Sequence, residues 1–449
     1  MEIRLEDYQE NAARVLTYQA AKQEIQDYLS RMYSRVLADS VRTTEAHDTV
    51  MRVMHKYLDD NRMEVEGIPD RPQLLERLYN DLSRFGIITG PVESPEAEEV
   101  NCNSFEDLEV VDADGYHKLL EPYESPGQFR DVVKKIMRIG GVIIDEANPI
   151  GDGYIRTGVR ASALTTPCVD ESVGAALFIR KQRMSEITRE DYIRQGAALP
   201  EELDLIEALI RYGVSTVFGG AVGSGKTTDM NFFLRQVPVD KGMFVIEDTR
   251  ELNLIRRDAG GKVISRVLHT KTRFSDDPEK NIGMDKLLKV ALRSNMQYII
   301  PSEMRDSAAM TAQEAARTGQ TVVTSLHTQT ARSAHRRILT MCQMRDTHIS
   351  DHLLLEMIVE AFPIIVHKKK LPDGSRRFME VFEATGTDGN QVTGQTLYRF
   401  HVTDNKVGPD GKVQVIGRHD KVHGISKNLA QTMLDNGAPA ALVRELERG

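Results

Sequence analysis

The sequence predicts an α/β protein: a helical N-terminal region, a small α/β domain, and a larger C-terminal domain on a mostly parallel sheet. Three observations carry this. Apolar residues recur at three-and-four spacing through residues 1–90, the period of helices with one buried face. Beyond residue 200, short apolar strands alternate with helical stretches, the order of a sheet covered on both faces. Between the first of these strands and its helix stands Gly220-Ala221-Val222-Gly223-Ser224-Gly225-Lys226-Thr227, which fills all eight positions of a phosphate-binding loop.

Bulk properties bound the answer. The chain has 449 residues, 40% hydrophobic and 28% charged, the make-up of a soluble globular protein of about three domains. No apolar run approaches the roughly 18–20 residues that cross a bilayer, and the charged start at Met1-Glu2-Ile3-Arg4 lacks a signal peptide's apolar stretch. Cys102, Cys168 and Cys342 lie far apart, without the paired spacing of a zinc site or disulfide framework. A reduced cytosolic home fits. The net charge of −9 argues against a dedicated nucleic-acid binder, which is usually basic.

The elements follow in order. Ile25, Tyr28, Leu29, Met32, Tyr33, Val36 and Leu37 make one stripe; Val50, Val53, Met54, Tyr57 and Leu58 a second; Leu74, Leu75, Leu78, Leu82 and Phe85 a third, with Gly86 as a C-cap. After Pro95, Leu108–Val111 and Tyr116–Leu120 read as strands joined by the turn Asp112–Gly115. Ser125-Pro126 opens a helix through Phe129, Val132, Val133, Ile136 and Met137, closed by Gly140-Gly141. A short strand is expected at Val142–Ile144. The polar stretch 182–200 reads as a linker. Strands are then expected at Ser215–Phe218, Phe244–Ile246, Tyr298–Ile300 and Val322–Ser325. Turns at 372–374 and 409–411 mark hairpins, and the basic residues His367–Lys370 and Arg376-Arg377 around the first read as a solvated hairpin. Two short helices begin near Ser426 and Pro439. The predicted boundaries are 1–92, 93–181, a linker at 182–200, 201–424 and a helical tail at 425–449.

The chemistry centres on the loop. Its glycines let successive amides face phosphate oxygens, and the helix N-terminus adds positive potential. Lys226 is expected to bridge the β- and γ-phosphates, with the Thr227 hydroxyl on Mg²⁺; Thr228 follows on the same turn. Hydrolysis also needs carboxylates. Glu247 and Glu303 each end a predicted strand, where open sheets form their ligand crevice. His327 follows another strand, and its protonation state could report the γ-phosphate. Asp229, in the helix's first turn, suits the helix dipole.

Taken together and in this order, these segments resemble the traffic ATPases of type II, type IV pilus and type IV secretion machines, with the CpaF-like ATPases of Tad pili the nearest branch. The similarity covers about residues 75–385. Glu247-Asp248-Thr249-Arg250-Glu251 resembles the family's acidic box. Ala291-Leu292-Arg293 with Ile299–Arg305 resembles its Walker B region, and Thr318-Gly319 through His327 its histidine box. The resemblance implies a RecA-like ATPase domain after residue 200. It also implies a homohexamer with ATP and Mg²⁺ between domains, and a membrane-embedded platform protein as partner at the inner face of the cell membrane. Glu247 would orient the attacking water, Glu303 would steady Mg²⁺, and Arg160 and Arg180 would reach the nucleotide as the domains close. Two departures stand out: Ser302 replaces the Walker B glycine, and Gln320 stands where a histidine is usual.

Two other readings compete. A RecA-like nucleic-acid motor needs a basic channel with stacking aromatics, yet the chain has 13 Phe, 13 Tyr and no Trp, and no direct nucleic acid is expected. An ATP-binding structural member with weak hydrolysis is motivated by Ser302 and Gln320.

Overall fold

Thr17 starts the first long helix. Its hydroxyl accepts the Ala20 amide, satisfying one of the donors every helix start leaves open. After β1 (Arg14–Leu16), α1 (Tyr18–Met32) buries Ala21, Ile25 and Leu29. Then come α2 (Ser34–Asp39), α3 (Thr44–Asp60), β2 (Met63–Val65) and α4 (Arg71–Ser83). All three predicted stripes supply one apolar core, in which Ile25, Leu29, Val50, Met54, Leu58 and Leu78 are fully buried. Met32, which is exposed, and Phe85, which packs against the core of the following sheet, are the exceptions. The parallel pair β1–β2 has no counterpart in the sequence reading, because three-residue strands carry no period. Gly86 is not the C-cap of α4. Arg84 holds that position, and Gly86 at φ +61° turns the chain toward α5 (Thr89–Glu93).

The computed structural model describes residues 13–41, 43–112, 115–156, 158–181, 187–273, 278–345, 348–409 and 411–448, and the chain divides into two compact units between residues 184 and 185. The first unit also holds a six-stranded antiparallel sheet. Its strands are β3 (Glu99–Cys102), β4 (Leu108–Asp112), β5 (Gly115–Lys118), β6 (Ile150–Arg156), β7 (Val159–Thr165) and β8 (Ala175–Lys181), in the order β5-β4-β3-β8-β7-β6. Residues 113 and 114 of the predicted first turn lie outside the described residues. α6 (Pro126–Ile139), capped by the Ser125 hydroxyl, presses Phe129, Val133, Ile136 and Met137 onto Ala161, Ala163, Leu177 and Ile179. Val142–Ile144 forms no strand. Its side chains instead crowd the sheet: a Cβ on Gly151 would lie 2.7 Å from Ile144 Cγ2 and 2.8 Å from Val142 Cγ1.

In the second unit, the predicted linker is partly structured. Residues 182–186 lie outside the described residues, but Thr188 and Asp191 cap α7 (Arg189–Arg194) reciprocally, and Tyr192 is fully buried. One buried aromatic in a polar stretch gives no period to read. α8 (Pro200–Arg211) leads to β9 (Thr216–Gly220) and α9 (Lys226–Leu234). The remaining elements are β10 (Gly242–Glu247), β11 (Arg266–Lys271), α10 (Met284–Ala291), β12 (Tyr298–Pro301), α11 (Ala308–Arg317), β13 (Thr321–Leu326), α12 (Ser333–Cys342) and α13 (Asp351–Ala361). They are followed by β14 (Ile364–Lys370), β15 (Arg376–Asp388), β16 (Gln391–Val407), β17 (Val413–Lys421), α14 (Lys427–Asp435) and α15 (Ala440–Leu446).

The sheet runs β11-β10-β12-β13-β9-β14-β15-β16-β17. Its first six strands are parallel, and the two predicted hairpins extend it with three antiparallel strands; Asp410 of the second turn lies outside the described residues. Alternation along each strand divides the core. Phe218, Val245, Ile300 and Val323 face one apolar layer, while Val217, Phe244, Ile246, Ile299 and Val322 face the other. A sheet with both faces dry needs nearly continuous apolar strands, and these runs supply them. The basic hairpin departs from expectation: His367 and Lys368 are each only 3% exposed, because β14 is an interior strand paired with β9 on one side and β15 on the other.

Two core histidines make stability pH-dependent. Burial pushes the imidazoles of His335 and His367 down to about 4. An unfolded histidine protonates near pH 6.5, so the contribution of both is complete above that value and is lost as pH falls from there toward about 4. Equilibrium denaturation from pH 7 to 4 is expected to show this loss, and the variant His335→Gln/His367→Gln a shallower one.

Candidate active site

The loop between β9 and α9 depends on two glycines. At Gly220, φ is +157°, and a Cβ would sit 2.3 Å from the Lys368 carbonyl oxygen, so only glycine fits. Gly225 takes φ +93° as the N-cap of α9. The following turn therefore aims its free amides into the loop, where helix geometry favours an anion. Ser224 is fully buried, and its hydroxyl has no partner among the described residues. An unmet buried hydroxyl is costly, and a phosphate oxygen is the kind of group that would satisfy it. Thr227 is half-buried on the first turn, while Ala221, Val222 and Thr228 are exposed.

Lys226 lies inside this loop. Its Nζ donates to the carbonyl oxygens of Gly220 at 2.9 Å and Ala221 at 3.0 Å, and lies 3.3 Å from His327 Nδ1. From there a chain of polar contacts crosses the strand ends. His327 Nε2 is 3.2 Å from Glu303 Oε1. Arg305 Nη2 contacts Glu303 Oε2 at 2.5 Å, and Arg305 Nη1 lies 3.6 Å from Asp248. Burial alone would raise the Glu303 carboxyl, but the Arg305 hydrogen bond and the charges of Arg305, His327 and Lys226 hold it below the usual carboxylate range. It is an ionised acceptor, better suited to holding cations and water than to taking a proton.

Sheet order explains which predicted residues meet. β13 neighbours β9, and β12 neighbours β13, so His327 and then Glu303 fall within reach of Lys226. β10 is three strands from β9, roughly 14 Å at about 4.8 Å per strand. Glu247, at its end, is not brought to Lys226. Only 1% exposed, it accepts the amides of Glu251 and Leu252 at 2.9 Å each with Oε1, and its Oε2 lies 3.2 Å from His269 Nδ1.

Other predicted residues are placed as follows. Arg160 and Arg180 sit directly opposite one another in the β7–β8 register and so share one face of the first unit's sheet; both are exposed, and Arg160 pairs with Asp152 at 3.2 Å. Ser302 is not among the residues with positive φ, so its Cβ causes no backbone strain. Its amide donates to the Ile246 carbonyl, and its own carbonyl accepts from Ser325 Oγ. Gln320 accepts from Thr318 Oγ1 at 3.3 Å, apart from the Lys226–His327–Glu303 contacts.

Sequence reasoning missed a second group beside the loop. Asp229 is not held by the helix dipole alone. Fully buried, it accepts from Tyr192 Oη and Lys368 Nζ, both at 2.5 Å on the same oxygen. Burial pushes the Asp229 carboxyl up and the Lys368 amine down, with their mutual contact opposing both. Removing one member of such a pair leaves an uncompensated buried charge, at a cost of about 3–5 kcal/mol. The only sequence signal was an acid in the first turn of the helix.

The chain is similar to several known proteins. The family described as type II/IV secretion system protein matches residues 154–420. The conjugal transfer protein TrbB of Rhizobium radiobacter is 31% identical over 251 residues, covering 55% of this chain and 71% of that protein. The type IV secretion system protein PtlH of Bordetella pertussis is 26% identical over 178 residues, 39% of this chain and 51% of its own. Among solved structures, the pilus retraction motor PilT with bound ADP aligns with a TM-score of 0.48 at 17% identity, covering 81% of this chain and 88% of that one. With the family matched across more than half its length, from β6 to β17, this chain belongs to the type II/IV secretion system proteins.

Proposed function

We propose that this protein hydrolyses ATP and converts the energy into domain motion that powers a type IV pilus-like (Tad), type II or type IV secretion or conjugation machine. The observation that carries this reading is the meeting of Lys226, His327 and Glu303 at the ends of three adjacent strands, beside a complete phosphate-binding loop. The amides of residues 221–228 bind the phosphates. Lys226 leaves the carbonyls of Gly220 and Ala221 for the β- and γ-phosphate oxygens, and His327 links that movement to Glu303.

The residues also fit a magnesium ion. The Glu303 carboxylate, held ionised by its neighbours, and the half-buried Thr227 hydroxyl are oxygen donors that suit an ion otherwise held by phosphates and waters. Thr227 and Glu303 would hold it, and it would neutralise phosphate charge. Glu303 orients water by accepting its hydrogen bonds. Glu247 acts indirectly, anchoring the loop that presents Asp248 to Arg305.

In this proposal the protein works as a homohexamer, with Arg160 and Arg180 contacting nucleotide when domains close. Its partner is a membrane-embedded platform protein, so the ATPase works at the inner face of the cell membrane. No helix among the described residues is long and apolar enough to cross a membrane.

Three experiments test this. ATPase activity per molecule is expected to rise with protein concentration and to vanish in Lys226→Ala; a flat response would remove the shared site, and an active Lys226→Ala the whole reading. Glu303→Gln is expected to bind ATP but lose turnover, with its unfolding midpoint near wild type. Glu247→Ala, which removes the acceptor of the buried Leu252 amide and the part-buried Glu251 amide, is expected to lose about 1–3 kcal/mol of stability and to exchange the amide hydrogens of residues 251 and 252 faster.

A further inference from the structure

Arg376 is the first residue of β15, just past the Asp373-Gly374 turn that joins it to β14. Its Nε donates to the carbonyl oxygen of Gly223, in the middle of the phosphate-binding loop, at 3.0 Å. A Cβ on Gly225 would lie 3.5 Å from Arg376 Cδ and 3.6 Å from Lys368 Nζ. The side chain therefore runs along the loop and not away from it. The guanidinium is half-buried, and its two outer nitrogens make no hydrogen bond or ion pair with any described residue. Arginine presents five N–H donors in a planar fork that matches phosphate oxygens. One is used on Gly223, leaving four.

The surroundings fix this arginine against the loop. Lys368, eight residues earlier on the facing strand, is tied to Asp229 of α9 at 2.5 Å and flanked by the rings of Tyr192 and Phe378, at 5.0 and 4.8 Å from their centroids. β14 also pairs with β9 as far as Lys368 opposite Gly220. The hairpin carrying Arg376 is thus bonded to the strand before the loop, to the loop and to the helix after it. Asp229 already compensates Lys368. Arg376 adds to the field on Asp229, but its guanidinium makes no hydrogen bond or ion pair with a carboxylate among the described residues.

We propose that Arg376 is a second phosphate-binding cation of this site, supplied by the same chain and positioned by the buried Tyr192–Asp229–Lys368 group. Its ligand is the phosphate chain of a nucleoside di- or triphosphate. This rests on the reading that the loop binds ATP, and the test separates the two. Binding of MgATP and MgADP is measured by calorimetry on the full chain as wild type, Arg376→Gln and Arg376→Lys, with the melting temperature of each protein without nucleotide. Arg376→Gln is expected to bind both nucleotides about tenfold or more weakly, as loss of a charge-assisted contact implies, while melting near wild type. Arg376→Lys is expected to recover part of the affinity.

Wild-type affinity in Arg376→Gln overturns the inference. So does equal affinity in the Gln and Lys variants, because a neutral amide can also donate to the Gly223 carbonyl and a mere brace would not distinguish them. A wild type that fails to bind MgATP sinks the reading of the loop itself.

Discussion

A β-strand has two edges, and on β9 both are taken by parallel neighbours, β13 on one side and β14 on the other. This pairing is the constraint from which the site follows. Parallel strands end at the same side of a sheet, so each contributes its last residues to one rim. β9 delivers the phosphate-binding loop, β13 delivers His327 and β12 delivers Glu303. On the other side, β14 brings Lys368 up to the register of Gly220. Antiparallel pairing at either edge would have sent those residues to the opposite end. The glycine at 220 is part of the same constraint, since the Lys368 carbonyl occupies the space a side chain would need.

Charge is arranged around the loop with little to spare. Glu303 stays ionised because Arg305, His327 and Lys226 surround it, against the pull of burial. Asp229 and Lys368 are each driven toward neutrality by burial; their contact opposes this for both, and the Tyr192 hydrogen bond and the Arg376 charge further favour the Asp229 carboxylate. Glu247 illustrates a different use of a carboxylate. Bonded to two backbone amides of the loop it begins, it holds a shape, and Asp248 beside it makes the contact with Arg305. Two acids adjacent in sequence thus have unlike roles, decided by which way the chain turns after the strand.

What could be read beforehand follows from the reach of each signal. The loop motif, the helical stripes and the apolar strands are local patterns, and Lys226, Glu303 and His327, which the fold brings together, could be singled out because each ends or follows such a strand. Glu247 passed the same local test, but its distance from Lys226 is set by strand order, which no single segment encodes. Lys368 was read as solvated because a Lys-Lys-Lys run beside a turn usually is; its burial depends on β14 being flanked on both sides. Tyr192 was lost in a stretch whose other residues are polar. In each case the missing information was the identity of a distant neighbour.

The contact between Asp229 and Lys368 joins positions 139 residues apart, and it binds their histories as well as their atoms. Neither can drift alone: replacing the acid strands a cation in the core, and replacing the cation strands the acid, with Tyr192 able to offer only one hydrogen bond in compensation. A lineage can leave this state only by changing both sites at nearly the same time, or by first opening the spot to water. In any relative that places an acid two residues after the lysine-threonine step of this loop, a base should therefore occupy the matching place on the strand beyond, so the covariation of one distant pair would report the packing of this hairpin.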